Sequence, residues 1–344
     1  MIEIQNHPWP VAPRIPIYLA ALSGSLFLIY SIFWIDVARL SDYENYLQYA
    51  IEFQEKSWGE LGLVEFFSFA QIKFFGSLGN EVSIGLQKLY VLNATIAAIG
   101  LFGLSVKYAQ TFSGVFLVYV LYGPLMSYVT LRATPAYLLV AWFILMKQGV
   151  FRKFILILIA VFYHVTAVVP AVLVAGVNFL KPSDWLNSEN KNSNSSIFII
   201  SIFFLGICIE LMWMLGFGDI VVRFVLELTT GAGKFQEYLE SASMYRTPAH
   251  FGYFVFVLLA TCFYLYLTSG FVDNLWWVIV FALVSFIFLS VSPVVAYRFS
   301  IFFLLPVFLT FPKTKNPQEN FLNYSIIFIG SIIGIVQSLK LFTD

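Results

Sequence analysis

The sequence predicts an all-α polytopic integral membrane protein, and three observations support this. Hydrophobic residues make up 60% of the 344 residues, charged residues only 11%, and the mean hydropathy is +0.85. Soluble domains have roughly 25% charged residues. The apolar runs are continuous blocks of about 20 residues rather than short alternating segments, so they indicate membrane-spanning helices and not a β-barrel.

About 10 to 11 transmembrane helices are expected, in one transmembrane domain over 1–344. Apolar runs predict helices near 16–35, 83–105, 111–129, 131–147, 154–180, 197–216, 250–268, 274–291, 296–312 and 321–340. The apolar stretch 61–79 contains Glu65 and Lys73. These charges favour an interfacial or re-entrant helix over a full span, within a predicted external loop at 36–82.

Composition and motifs exclude several classes of protein. The formal net charge is zero, which gives no reason to expect nucleic acid as a partner. The sequence contains no phosphate-binding loop, dinucleotide fingerprint or zinc motif, so no cofactor and no metal is expected. Both cysteines, Cys208 and Cys262, lie in apolar runs, where a buried apolar role is expected. The polar, proline-rich amino terminus does not read as a cleavable signal peptide.

Basic residues in short loops predict the orientation, because such loops favour the cytoplasm. These residues are Lys107, then Lys147, Arg152 and Lys153, then Lys313 and Lys315. The run 154–180 is too long for one upright crossing and too short for two. A pair of short helices turning near His164 would keep every basic loop on one side. The polar residues Asp42, Glu65, Arg132, His164 and Arg298, and an external loop predicted at 217–249, would then share the non-cytoplasmic side.

Two arginines lie inside apolar runs, where ionisable residues usually mark a functional site. They are Arg132 and Arg298. A guanidinium stays charged and offers a planar donor fork that matches phosphate oxygens. The alternative is a structural role, in which the arginine reaches the membrane interface or pairs with Glu65 or Glu210.

His164 is the third ionisable residue inside an apolar run. No second histidine or cysteine lies near it in the sequence, so metal ligation has little support. A neutral imidazole could act as a base or donate a hydrogen bond to a sugar hydroxyl or a phosphate. The alternative is a lone histidine that hydrogen-bonds the backbone of a neighbouring helix.

Helical spacing after Asp42 places Tyr46 and Tyr49 on the same face as this carboxylate. A carboxylate among tyrosines suits sugars, whose hydroxyls donate hydrogen bonds and whose CH faces stack on aromatic rings. An interfacial aromatic belt is the alternative. The loop 217–249 is long enough to be a lid or a binding element, or a solvated charged helix. Its polar residues include Lys234, Tyr238, Tyr245 and Arg246.

Short motifs occur along the chain in the order Asp42-Tyr43, Glu65, Arg132, Arg152-Lys153, Phe162-Tyr163-His164 with Thr166, Lys234 with Tyr238, and Arg298. In this order the sequence resembles the EpsG-like branch of the bacterial Wzy polysaccharide polymerases, over most of the chain. The resemblance implies a GT-C-like membrane glycosyltransferase in the bacterial inner membrane, with its active site facing the periplasm and with no metal.

The resemblance also implies the substrates. The enzyme would transfer a growing glycan from its undecaprenyl diphosphate carrier to a new lipid-linked repeat unit. Its other expected partners are membrane lipid and a chain-length regulator protein. Positive charge should stabilise the leaving diphosphate, and the candidates are Arg132, Arg298, Arg246 and Lys234. A catalytic base would be His164, Asp42 or Glu65. The candidates for sugar binding are Tyr46, Tyr49, Tyr238 and Tyr245.

Three other functions remain open from the sequence. An O-antigen ligase has the same architecture and similar chemistry. A transporter of lipid-linked glycans would be expected to show inverted repeats and charge near the midplane, and no internal repeat is visible. A membrane scaffold or chain-length partner would not need its arginines and His164 to share a cavity.

Overall fold

The computed structural model describes residues 14–40, 42–61, 65–79, 81–146, 149–180, 191–222, 247–269, 274–314 and 316–343. These residues form helices and turns, with no strand among them. The prediction of an all-α polytopic membrane protein is therefore confirmed.

The described α-helices are α1 (Arg14–Ser31), α2 (Tyr43–Glu55), α3 (Phe66–Gly76), α4 (Val82–Tyr108), α5 (Phe112–Pro124), α6 (Thr134–Leu145), α7 (Val150–Tyr163), α8 (Val168–Leu180), α9 (Lys191–Met212), α10 (Pro248–Leu267), α11 (Asn274–Leu289), α12 (Pro293–Leu309) and α13 (Pro317–Thr343). Short 3₁₀ turns occur at Val37–Arg39, Trp58–Leu61 and Val165–Ala167. Two π-helical segments, Leu125–Val129 and Trp213–Phe217, extend α5 and α9.

Within the described residues, six helical segments are long and apolar enough to cross a membrane. They are Arg14–Ser31, Val82–Tyr108, Phe112–Val129, Ser195–Val222, Pro248–Leu267 and Pro317–Ser338. Four further apolar helices are shorter, at Thr134–Leu145, Val165–Val177, Asn274–Leu289 and Pro293–Leu309. Each predicted apolar run corresponds to helix, and the run 154–180 is broken at His164, where two short helices were predicted to meet.

The chain divides into two compact units. The first unit comprises residues 1–168 and 308–344, and the second comprises residues 169–307. In the first unit α4 packs against α1, α3 and α6, and α13 packs against α5. In the second unit α9 packs against α10 and α11.

Small and polar residues join the helices of the first unit. Gly24 of α1 lies against the ring of Tyr119, so closely that an added Cβ would come within 2.5 Å of it. One residue later, the Ser25 hydroxyl lies 2.6 Å from the Tyr119 hydroxyl and 3.0 Å from the carbonyl oxygen of Ala98. Membrane helices associate through such close contacts and hydrogen bonds, because lipid supplies no hydrophobic drive between them.

The predicted loop 36–82 contains two packed helices, α2 and α3. The apolar face of α2 is buried with α4 in one core. Lys73 of α3 donates hydrogen bonds to the carbonyl groups of Phe53, Gln54 and Lys56 at the end of α2. The last carbonyl groups of a helix lack partners within it, so Lys73 caps α2 and fixes it to α3.

Candidate functional site

Three ionisable side chains from separate segments of the first unit meet at Glu65. Its Oε2 accepts a hydrogen bond from Nη1 of Arg132 at 2.9 Å. Its Oε1 lies 2.7 Å from Nδ1 of His164. The second contact has the distance of an ion pair, although the ring N–H is not aligned with the carboxylate as in a well-formed hydrogen bond. We call these three residues the Glu65 cluster.

The Glu65 cluster is largely withdrawn from solvent. The exposed fractions of the side chains are 11% for Glu65, 17% for Arg132 and 14% for His164. A charge that has lost water requires a partner, and here the Arg132 guanidinium and the His164 imidazole both face the same carboxylate.

Every member of the Glu65 cluster lies at a helix end or in a turn between helical segments. Glu65 precedes α3, Arg132 lies in the turn between the π-helical segment Leu125–Val129 and α6, and His164 follows the last residue of α7. Non-helical backbone at membrane depth is tolerated only where it is buried in protein or lines a wet cavity. The side chains at these three positions are largely buried, and the non-helical backbone brings them together.

Glu65 also has a strained backbone. Its φ of 57° and ψ of 26° lie in the left-handed region, and it is the one described non-glycine residue with a positive φ. Such a conformation costs about 1 to 3 kcal/mol and is found most often at functional sites. With this backbone conformation the Glu65 side chain contacts both Arg132 and His164.

The turn that carries Arg132 is held by buried polar residues. Asn93 of α4 donates from Nδ2 to the carbonyl groups of Met126 and Ser127, at 2.5 and 3.2 Å. The Thr134 Oγ1 lies 2.6 Å from the carbonyl oxygen of Met126 and 2.8 Å from that of Thr130, and can donate its one proton to either. A π-helical segment leaves carbonyl groups without their usual hydrogen-bond donors. The side chains of Asn93 and Thr134 serve as donors instead.

The electrostatics of the Glu65 cluster favour an ionised carboxylate. Burial raises the pKa of Glu65, but the contact and charge of His164, the charge of Arg132 and a hydrogen bond from the Val165 backbone N–H outweigh it. Together they hold the pKa of Glu65 below its ordinary value. Glu65 is therefore suited to orient its partners and poorly suited to accept a proton at neutral pH.

Aromatic rings enclose Arg132. The Cζ atom of its guanidinium lies 5.4 Å from the centroid of the Tyr49 ring and 5.8 Å from that of Phe69. Rings at this distance attract a cation through their negative faces. The half-buried Tyr49 ring also stacks on Phe53, with the centroids 5.7 Å apart.

Two polar residues of α3 that the sequence interpretation missed support the site. The Ser68 hydroxyl lies 2.7 Å from the carbonyl oxygen of Tyr163 and 3.2 Å from that of Arg132. The Gln71 amide donates to the Tyr163 hydroxyl at 2.9 Å. The spacing of Glu65, Ser68 and Gln71 by three residues was the available signal, since residues so spaced share one helical face.

A family model describes nearly the whole chain. The model of the EpsG family matches residues 17–341. The chain belongs to the EpsG family. The search of curated proteins and the search of solved structures each found no significant match.

Membership of the EpsG family confirms the resemblance and indicates a membrane-embedded, glycosyltransferase-like polysaccharide polymerase in general terms. The Glu65 cluster lies within the matched residues. It also brings together predicted site residues from three motifs that are far apart in the sequence.

Other predicted residues of the EpsG-family chain lie elsewhere in the first unit. Asp42 precedes the first residue of α2 and is half-buried, and its side chain does not cap the helix. Tyr46 is buried, and its hydroxyl donates to the carbonyl oxygen of Val129 at 3.4 Å. Tyr46 therefore packs against the π-helical segment that precedes Arg132, whereas the Tyr49 ring contacts Arg132 directly.

The remaining predicted residues are outside the first unit or outside the described residues. Arg298 lies in α12 within the second unit and is half-buried. Four candidates in the predicted loop 217–249 lie outside the described residues: Lys234, Tyr238, Tyr245 and Arg246. Among the described residues, no group of three or more His, Cys, Asp or Glu side chains is placed to hold a metal ion.

The second unit contains an ionisable pair of its own. Glu210 of α9 and His250 of α10 have exposed side-chain fractions of 1% and 9%, and Oε1 of the carboxylate lies 3.2 Å from Nε2 of the imidazole. His250 is in the first turn of α10, and the Thr247 hydroxyl accepts a hydrogen bond from its backbone N–H. The pair thus joins α9 to the start of α10.

We expect Glu210→Ala to destabilise the EpsG-family protein, because it leaves His250 buried without its partner. Breaking a buried pair in this way costs about 3 to 5 kcal/mol, whereas replacing both members with apolar residues is often neutral. The double variant Glu210→Leu/His250→Leu should therefore have a Tm close to that of the wild type in detergent. Ser201→Ala, at an exposed position of α9, is the control. An unchanged Tm for Glu210→Ala would contradict this prediction.

Proposed function

We propose that this EpsG-family protein polymerises undecaprenyl diphosphate-linked oligosaccharide repeat units on the periplasmic face of the bacterial inner membrane. The growing glycan leaves its carrier and is joined to a hydroxyl group of a new lipid-linked repeat unit. Family membership supports polymerisation of a polysaccharide in general. The lipid carrier, the face of the membrane and the repeat unit belong to the proposal.

The observation that carries the proposal is the convergence of Arg132 and His164 on the carboxylate of Glu65, at 2.9 and 2.7 Å. The transfer breaks the bond between an anomeric carbon and a diphosphate oxygen. It therefore requires positive charge for the leaving group and an acceptor for the proton of the attacking hydroxyl. Arg132 and His164 provide these two functions side by side.

The contact with Glu65 defines how His164 would act. With Nδ1 2.7 Å from Oε1 of Glu65, a neutral imidazole that carries its proton on Nδ1 would present the lone pair of Nε2 to the acceptor hydroxyl. Nε2 accepts the proton as the acceptor oxygen forms its bond to the anomeric carbon. That proton is then passed to the departing diphosphate, so that the reaction has no net proton change.

Arg132 would stabilise the diphosphate as negative charge develops on it. Only Nη1 contacts Glu65, which leaves further N–H groups of the guanidinium for phosphate oxygens. Tyr49 lies directly beside the guanidinium. A sugar ring stacked on Tyr49 would therefore have its anomeric diphosphate next to Arg132.

The periplasmic placement is supported by the two helices that carry basic residues. Lys107 is in the last turn of α4, and Arg152 and Lys153 are in the first turn of α7. Glu65 precedes α4 and His164 follows α7, about 21 Å along the helix from its start. If the basic ends face the cytoplasm, the Glu65 cluster lies towards the opposite side.

The other predicted participants complete the proposal. Arg298, Arg246 and Lys234 are candidates for further diphosphate contacts, and Asp42 is an alternative base. Tyr46, Tyr238 and Tyr245 are candidates for sugar contacts. Membrane lipid and a chain-length regulator protein are the proposed partners, and a metal-independent transfer is part of the proposal.

Complementation of a polymerase-deficient strain tests the proposed function. Wild-type protein should restore a ladder of surface glycans on a gel, and His164→Ala should leave a single repeat unit at matched membrane levels. Arg39→Ala, which removes an arginine that is 74% exposed, should restore the full ladder.

Two outcomes would contradict the proposal in different ways. If the wild type never alters chain length and instead changes whether glycan reaches its final acceptor, a ligase replaces the polymerase. If His164→Ala restores the same ladder as the wild type, the Glu65 cluster is not the site of transfer.

A further inference from the structure

A buried serine links the backbones of both partners of Glu65. Ser68 is 1% exposed and lies on α3, one turn after Glu65. Its Oγ lies 2.7 Å from the carbonyl oxygen of Tyr163 and 3.2 Å from that of Arg132. A hydroxyl has one proton, so the two carbonyl groups share or exchange a single donor.

The two carbonyl groups belong to the chain positions that aim the reactive side chains. One is the carbonyl of Arg132 itself, and the other is that of Tyr163, the residue immediately before His164. Each lies at a helix interruption, where carbonyl groups lack their usual helical partners. Movement of either carbonyl group would therefore move a side chain that contacts Glu65.

Contacts along the same face of α3 hold the end of α7. The Gln71 amide donates to the Tyr163 hydroxyl at 2.9 Å. The Phe67 ring packs against Phe162 and Tyr163, with centroid distances of 5.4 and 5.5 Å. Ser68 thus lies where α3 packs against the end of α7. It also makes the one described hydrogen bond from α3 to the backbone of Arg132.

We propose that Ser68 is a positioning residue for glycosyl transfer, whose hydroxyl sets the places of Arg132 and His164 on the Glu65 carboxylate. This inference rests on the proposed function and deepens it. The hydroxyl does not touch the substrate in this role. It keeps the diphosphate-binding group and the base at one fixed separation, so that both act on the same glycosidic centre.

Ser68→Ala removes the hydroxyl and little volume. We expect kcat for repeat-unit transfer to fall about 10- to 100-fold, because displacements of an ångström at a reacting centre have effects of this size. KM for the lipid-linked substrate and Tm should stay close to wild type. The acid limb of the pH–rate profile should move to lower pH, since the proposed base His164 loses part of its contact with the Glu65 carboxylate, which favours the protonated ring.

Matched variants separate positioning from folding. Ser77→Ala removes a hydroxyl that donates to the carbonyl oxygen of Phe74 within the same helix, and should leave kcat and the pH profile unchanged. Ser68→Thr retains the hydroxyl and should recover most of kcat. If Ser68→Ala does not accumulate in membranes, Ser68→Cys, a weak donor of similar size, should show the same shift of the acid limb.

The inference is overturned if Ser68→Ala has the kcat and pH profile of the wild type, or if its activity falls only in proportion to folded protein. Failure of the proposed function looks different, because wild-type protein would then extend no glycan at all. Loss of transfer in Glu65→Gln together with normal transfer in Ser68→Ala would leave the function standing and remove the role of Ser68.

Discussion

Glu65→Gln is expected to abolish formation of the glycan ladder, with a fall in the transfer rate of at least about 100-fold. The amide keeps the size of the side chain but removes its charge. His164 then loses the carboxylate that holds its tautomer and orientation, and Arg132 becomes a poorly compensated buried cation. Initial rates with extracted lipid-linked repeat units and protein in nanodiscs would measure the effect.

Glu55→Gln is the matched control for this prediction, because Glu55 is an exposed glutamate at the last position of α2. It should transfer repeat units at the wild-type rate. The Tm of Glu65→Gln in the same nanodiscs shows whether the protein is still folded. Normal ladder formation by folded Glu65→Gln would show that the carboxylate is not needed for transfer.

Arg132→Ala has the second-largest expected effect and should also change the pH dependence. Loss of a preorganised cation at a developing negative charge lowers rates by about 100- to 1000-fold. Arg132 is also one of the groups that hold the pKa of Glu65 below its ordinary value against burial. Without it the pKa of Glu65 rises. The acid limb of the pH–rate profile should also move to higher pH, because a proton added to the proposed base His164 no longer lies near a second cation.

The stability of Arg132→Ala should depend on pH in the same direction, because protonation of Glu65 is linked to folding. A carboxylate with a depressed pKa in the folded protein adds stability above its unfolded pKa, and that stability is lost as pH falls through the folded pKa. In the wild type the loss therefore occurs below the ordinary pKa of a glutamate. In Arg132→Ala both rate and stability should be lost earlier on acidification. Arg152→Ala, at an exposed position, should match the wild type.

An acid limb that stays in place in Arg132→Ala would mean that the charge of the arginine does not act on the proposed base His164 in the working enzyme. A rate near that of the wild type would remove Arg132 from the diphosphate site. Arg132→Lys refines the result, since it keeps the charge but loses the planar fork. Its rate should lie between those of the wild type and Arg132→Ala.

Membrane class and helix positions followed from composition and from the length of apolar runs. The run 83–105 corresponds to the helix Val82–Tyr108, and the run 250–268 corresponds to the helix Pro248–Leu267. Such runs are easy to recognise because lipid requires long apolar helices whose backbone groups pair internally. The run 154–180 was harder, because its length fitted neither one upright crossing nor two, and the turn near His164 was inferred only from the basic loops.

Glu65, Arg132 and His164 could be selected from the sequence because ionisable residues are costly within apolar segments. Their mutual contacts could not be derived, since the three residues come from segments separated by more than one helix. The ion pair of Arg132 with Glu65 was foreseen only as a structural alternative to phosphate binding. The structure shows that Arg132 forms the ion pair with Glu65 and also lies beside the Tyr49 ring.

By itself the sequence determined that the chain is an all-α membrane protein with ionisable residues in apolar surroundings, because hydropathy and charge are local properties. Only the tertiary structure decided that Glu65 adopts a left-handed backbone, that Asn93 completes the turn at Arg132, and that Ser68 reaches two distant carbonyl groups. These features depend on hydrogen-bond partners distant in the chain, which become neighbours only when the helices pack.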